Sequence, residues 1–216
     1  MTTVVVHGAG STGTAAARLL GAGPETLLLE DRSGDVEAII DLIGATMRDR
    51  SDITALVGIS LGAHAVARWA SAEQSALPAL TCVLPAWTGE AGASAEATAA
   101  AARRVADEGI EPLLQRLRHD ALYPDVVELL DLAWSDYADA PLAEALERAS
   151  TGRGPTPEEL AAIPAPVAVI GWSGDAFHPE DVARIWARHL RRPTIAIAAR
   201  PEIRLLRQAL ATCGPL

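Results

Sequence analysis

Residues 58–64 read Gly58-Ile-Ser-Leu-Gly-Ala-His64, directly after the apolar run Ile53-Thr-Ala-Leu-Val57. A helix-forming stretch, Ala63–Ala72, follows. Ser60 therefore sits where a strand turns into a helix. A serine that attacks a carbonyl must project its Oγ out of a sheet on a sharp turn of this kind. Small residues two before and two after it relieve the backbone crowding, and Gly58 and Gly62 fill those positions. The free N–H groups of the next helix then point at developing negative charge. The stretch reads as a nucleophile turn, with an ordinary strand-to-helix turn as the alternative.

Outward from this point, strands and helices alternate at short spacing. Thr3–Val6, Thr26–Leu29, Ile53–Val57 and Leu80–Leu84 read as strands. Ser11–Leu20, Asp35–Arg48 and Ala63–Ala72 read as helices between them, with apolar positions 36, 39, 40, 43 and 47 at helical spacing. The strands are continuous apolar runs, the pattern of a parallel sheet covered on both faces. Residues 88–150 break the rhythm: Ser94–Glu108, Glu111–Arg118, Val126–Tyr137 and Leu142–Ala149 all read as helices. Thr156 and Pro157 open a short helix through Ile163. Strand and helix then resume with Val167–Ile170, Pro179–Leu190, Thr194–Ala198 and Ile203–Leu210. The expected architecture is α/β, a doubly wound, mostly parallel sheet with an inserted helical cap. The expected division is 1–87 and 158–216 for the two parts of the core and 88–157 for the cap.

A chain of 216 residues that is 50% apolar and 21% charged suits one globular unit. The net charge of −10 argues against a nucleic-acid footprint or a polybasic membrane patch. Every one of the 18 basic residues is Arg, so a Schiff-base lysine and a Ser–Lys dyad are excluded. Cys82 and Cys213 stand far apart without metal spacing. With strand residues beginning almost at Met1, no secretory leader is expected and a reducing cytoplasm is the expected compartment. No apolar run approaches a membrane span. The partner expected is a small-molecule substrate, the assembly a monomer or homodimer, and no cofactor or metal is called for.

Two further stretches carry chemistry. His7-Gly8-Ala9-Gly10 ends the first strand, and such a small loop beside the nucleophile strand can supply an oxyanion donor. The two donors would be the N–H groups of Leu61 and Ala9. Gly171-Trp-Ser-Gly-Asp-Ala-Phe-His-Pro179 ends a late strand. Asp175 there can orient and charge-stabilise a catalytic imidazole, or it can be an Asp held in a local turn.

HG in the first strand, GxSxG after the third, a helical insertion after the fourth and D-x-x-x-P after the fifth fall in one order. In that order, over essentially its whole length, the chain resembles the α/β-hydrolase superfamily, in its compact bacterial form with a helical lid. The resemblance implies Ser60 as nucleophile, Asp175 as triad acid and the N–H groups of Leu61 and Ala9 as oxyanion hole. It implies no particular substrate, because this fold hosts many chemistries.

The chain departs from the family's pattern at the third triad member, a histidine after the last strand. Here that loop reads Ala198-Ala-Arg-Pro-Glu-Ile203, and no histidine follows His189. Arg200 stays protonated and cannot take the serine proton. Glu202 is a minor alternative. Of the five histidines, His7 reads as structural, His64 as a core residue, His119 as a cap residue and His189 as a helix-end cation. His178, three residues after Asp175, is the best candidate base; because it directly precedes Pro179, the alternative is that it is only the residue that opens the next helix. Trp87, Trp134 and Trp172, at the ends of loops and in the insertion, read as lining an apolar pocket, with Trp134 and Tyr137 alternatively gluing a cap helix down. The leading function is serine-dependent hydrolysis of a small, mostly apolar ester or thioester. A non-hydrolytic lyase, cyclase or isomerase on the same scaffold, or an inactive ligand-binding protein, is the alternative.

Overall fold

The computed structural model describes residues 1–120 and 122–213. Its six strands are β1 (Thr2–Val6), β2 (Thr26–Leu29), β3 (Ile53–Ile59), β4 (Ala79–Val83), β5 (Val167–Trp172) and β6 (Pro193–Ala198). They form one sheet in the order β2-β1-β3-β4-β5-β6, and every neighbouring pair is parallel. The expected "mostly parallel" sheet is all-parallel among the described residues.

Between the strands run α1 (Gly13–Leu20), α2 (Val36–Asp49) and α3 (Leu61–Ala72). Four helices follow β4 in succession: α4 (Ala93–Glu108), α5 (Ile110–His119), α6 (Pro124–Trp134) and α7 (Asp139–Thr151). The chain returns through α8 (Pro157–Ala162) to β5, then α9 (Glu180–His189), β6 and α10 (Ile203–Thr212). Thr156 and Glu159 cap α8 reciprocally, each side chain bonded to the other's backbone N–H, and Pro157 fills its first turn.

Alternate strand residues feed two separate cores, as the two-residue strand period requires. Val4, Val6, Leu56, Cys82 and Val169 pack with α2, α3, α8 and α9, whose Trp186 is fully buried. Val5, Val57, Val83 and Ile170 pack with α1 and α10. A third cluster belongs to α4–α7 and includes Val105, Leu113, Trp134, Leu142 and Leu146, with Ala15 of α1 buried in it.

The strand order fixes where a ligand can sit. The chain steps from β1 outward to β2, then crosses to the other side of β1 to lay down β3. In open parallel sheets the crevice beyond the strand ends at such a reversal is the binding position. The registers Val6↔Gly58, Ile59↔Val83 and Val83↔Ile170 bring the carboxyl ends of β1, β3, β4 and β5 side by side. His7–Ala9 and Ser60 lie at that reversal.

Candidate active site

Ser60 follows β3 directly and opens α3. Its backbone sits at φ 54°, ψ −117°, a conformation that costs a non-glycine residue roughly 1–3 kcal/mol. Close packing holds it there. A Cβ at Gly58 would fall 2.3 Å from the Gly62 carbonyl oxygen, and one at Gly62 would fall 2.4 Å from that of Val6. Only glycine lets the turn close against β1. The Ser60 N–H donates to Val83 O at 2.9 Å, and the Ser60 carbonyl accepts from Ala63 and His64. Leu61 is the first residue of α3, so its N–H has no acceptor in a preceding turn. Gly8 faces the serine: a Cβ there would lie 2.9 Å from Ser60 Cβ and 3.4 Å from its Oγ. The loop carrying Ala9 therefore passes directly beside the serine.

The acid and the imidazole come from one loop, 173–179, at the end of β5. Asp175 Oδ1 accepts from the Phe177 N–H at 2.9 Å, a local turn bonded through the side chain. Its other oxygen, Oδ2, faces inward and meets His178 Nδ1 at 2.7 Å. His178 Nε2 meets Ser60 Oγ at 3.0 Å. The carboxylate accepts from Nδ1–H, which leaves Nε2 free to accept the serine proton. Trp172 Nε1 donates to the same Oδ2 at 2.8 Å, and its ring stands edge-on to that of His178. The loop is tied at both ends: Ser173 N–H donates to Ala198 O at 3.0 Å, and the Ser173 hydroxyl to Glu180.

The Asp175 and His178 side chains are partly shielded, at 19% exposure for His178 and 15% for Asp175. Burial alone raises the Asp175 pKa. The His178 hydrogen bond and charge, the Phe177 N–H and the Trp172 indole outweigh that and bring the carboxyl down to about 2. Asp175 is thus ionised at neutral pH.

One chain of hydrogen bonds, Asp175–His178–Ser60, lies at the carboxyl edge of a parallel sheet of six strands with a strained serine turn after β3. The chain has the α/β-hydrolase fold. Solved structures of that fold superpose over nearly its whole length. A carboxylesterase structure from the ammonia-oxidizing thaumarchaeon Nitrososphaera gargenis matches with a TM-score of 0.75 at 13% identity, covering 96% of this chain and 85% of that one. The enol-lactonase of Burkholderia xenovorans LB400 matches at 0.69 and 15%, covering 98% and 88%. An alpha/beta hydrolase enzyme from a Medee basin deep-sea metagenome library matches at 0.66 and 14%, covering 98% and 86%. No family model matches the chain, and no curated protein sequence does.

The remaining candidates of the sequence lie as follows. In the loop after β6, Arg200 is exposed and paired with Glu202. His7 is buried, with Nδ1–H donating to Gly8 O at 2.8 Å and Nε2 accepting from Asp31 N–H at 3.2 Å. His64 is fully buried beneath the serine turn and accepts from the Ala86 and Trp87 N–H groups at 3.1 and 3.3 Å. Burial, with the charges of His178 and Arg68, holds its pKa down at about 3, so it stays neutral. His119 and His189 are exposed at the ends of α5 and α9.

Trp87, Trp134 and Trp172 are all buried, with their indoles bonded. Trp87 is 6% exposed, packs edge-on against His64 and donates to Gly152 O at 3.1 Å. Trp134 is 5% exposed and donates to Gly10 O at 3.0 Å. Trp172 is 3% exposed and its indole N–H is committed to Asp175. Each indole is a buried bracket with its N–H satisfied. The Trp172 bond to Asp175 was beyond the sequence reading; its trace is the Trp172/Asp175 spacing at the end of an apolar strand.

Among the described residues no group of His, Cys, Asp and Glu side chains is arranged to hold a metal ion, and no helix is long and apolar enough to cross a membrane.

Proposed function

We propose that this protein is a serine hydrolase acting on a small, mostly apolar carboxylic ester or thioester. The single observation that carries the reading is the 3.0 Å contact between Ser60 Oγ and His178 Nε2, with Asp175 at 2.7 Å behind the imidazole. Ser60 Oγ attacks the carbonyl carbon while His178 Nε2 takes the hydroxyl proton. The carbonyl π pair moves to oxygen, and the Leu61 and Ala9 N–H groups receive the resulting oxyanion. Each such donor contributes about 3 kcal/mol to the barrier reduction. The tetrahedral species collapses, the C–O or C–S bond breaks, and the leaving alcohol or thiol takes the proton from His178. Water then attacks the acyl-Ser60 ester, gives one proton to His178, and the acid leaves as Oγ recovers that proton. Asp175, held ionised, stabilises the imidazolium formed in each half-reaction.

Residues 88–157 act in this reading as a cap beside the site, within a core made of 1–87 and 158–216. Phe177, 42% exposed and next to His178, offers apolar surface at the rim and supports an apolar acyl group. The test is a fluorophosphonate probe together with a panel of p-nitrophenyl esters and acyl thioesters. Labelling of one serine, lost in Ser60→Ala, with saturable turnover of short apolar esters, is the expected result. A folded wild-type protein that neither labels nor turns over any of them contradicts the proposal.

A further inference from the structure

The loop that would carry the second oxyanion donor is rich in glycine. Residues 7–13 read His-Gly-Ala-Gly-Ser-Thr-Gly, and Gly10 occupies the left-handed region at φ 59°. Such a segment is intrinsically free. An oxyanion donor, by contrast, has to be fixed before reaction, since its value comes from preorganisation.

His7 holds Gly8 O, and the restraint on Gly10 and Ser11 comes from the helices inserted after β4. Trp134, the last residue of α6, donates its indole N–H to Gly10 O at 3.0 Å. Tyr137, three residues on, donates its hydroxyl to Ser11 O at 3.0 Å. Burial pushes the Tyr137 phenol up to about 12, so it remains a donor at any working pH. From α7, Leu146 and Leu142 close on Gly10 so tightly that a Cβ there would lie 2.9 Å and 3.2 Å from their methyl carbons. Ala9 itself packs against this same cluster. Two consecutive loop carbonyls are thus held by two side chains of the insertion, and the Gly10 Cα just before them by a third contact.

We propose that Trp134 and Tyr137 are positioning residues for the hydrolysis: they lock the 8–11 backbone so that the Ala9 N–H points at the oxyanion. The inference rests on the serine-hydrolase reading above and deepens it, because it makes the helical insertion part of the catalytic apparatus rather than a cover. A donor displaced by about 1 Å can cost on the order of 10²-fold in rate. Loss of one of two clamps leaves the loop partly held, so the expected effect of each is smaller.

Trp134→Phe keeps the ring in its cluster and removes only the N–H; Tyr137→Phe removes only the hydroxyl. We expect each to lower kcat about 10-fold, and the pair about 10²-fold, with KM changed less than about twofold. Affinity for a trifluoromethyl ketone, which forms the oxyanion on binding, should fall in step with kcat. Hydrogen exchange of the peptide spanning residues 7–13 should quicken, while that of 171–179 stays as in the wild type. If both variants fold and exchange faster in the loop while kcat is unchanged, the positioning role is wrong, and Ser60 labelling in the same samples leaves the hydrolase reading intact. A larger rise in KM than fall in kcat would also overturn it, since that pattern belongs to ground-state binding. Absence of Ser60-dependent turnover in the wild type would instead remove the reading on which the inference rests.

Discussion

Two loops leave the same edge of the sheet from neighbouring strands, and they differ in kind. The loop after β5 holds Asp175 and His178 in a hydrogen-bonded turn aimed at Ser60. The loop after β6 holds Arg200, which is exposed, paired with the half-buried Glu202. The resemblance to known hydrolases directs attention to the second loop for the base. The geometry puts an imidazole on the serine from the first. A general base has to be within hydrogen-bond reach of the proton and correctly oriented; which strand delivers it is a separate matter. Asp175 and His178 are three residues apart, and the local turn at Phe177 N–H is what lets both side chains face one way.

The largest effect that can break this comparison is at His178. His178→Ala should lower kcat by about 10⁶-fold, as loss of an imidazole base does elsewhere. The double change Arg200→Ala, Glu202→Ala should leave kcat within about twofold. Steady-state ester kinetics on both variants decides between the loops. Asp175→Asn should cost roughly 10⁴-fold, because the amide presents the wrong partner to Nδ1–H. Its circular dichroism should match the wild type.

A smaller effect belongs to Trp172→Phe, which removes one donor from Asp175 Oδ2 and keeps the ring. Activity should fall about 10-fold, with the acid limb of the kcat/KM profile moved, while KM holds. A structural role alone would lower the melting temperature and leave the pH profile in place.

The smallest effect is on stability and concerns His64. Its folded-state pKa is depressed to about 3, against about 6.5 when exposed. Between those values the unfolded chain binds the proton and the folded chain does not. This contribution to stability is therefore present above about pH 6.5 and is lost as pH falls toward 3. His64→Gln keeps an acceptor for Ala86 and Trp87 N–H and cannot titrate. Its unfolding between pH 4 and 6.5 should take up about one proton fewer than the wild type, measured from the slope of denaturant stability against pH.

The fold was legible because the strands are continuous apolar runs and the helices carry clear periodicity. Ile53–Val57 and Val167–Ile170 each extend two residues further in the structure, to Ile59 and Trp172. The extra residues, Gly58-Ile59 and Gly171-Trp172, contain glycine, which weakens the strand signal, and pairing with β4 and β6 holds them in the sheet. The glycine pattern around Ser60 was legible for a steric reason that two close backbone approaches make plain. The tryptophans were legible only in part: an anchoring role for Trp134 was open, its target was not. A Trp at the end of a strand has the same sequence appearance whether its indole lines a cavity or donates to a buried carbonyl. Only three-dimensional placement tells Trp134 at Gly10 O from a pocket wall. Tyr137 and Trp134 belong to one stripe in the sequence, yet their targets lie more than a hundred residues earlier in the chain.

The central claim is that His178 activates Ser60. The most direct measurement is the second-order rate of fluorophosphonate labelling of Ser60, followed by intact-protein mass against pH in the wild type, His178→Ala and Glu202→Gln. The account predicts that labelling collapses in His178→Ala at every pH and that Glu202→Gln follows the wild-type curve. Wild-type labelling rates in His178→Ala, or their loss in Glu202→Gln, would contradict it.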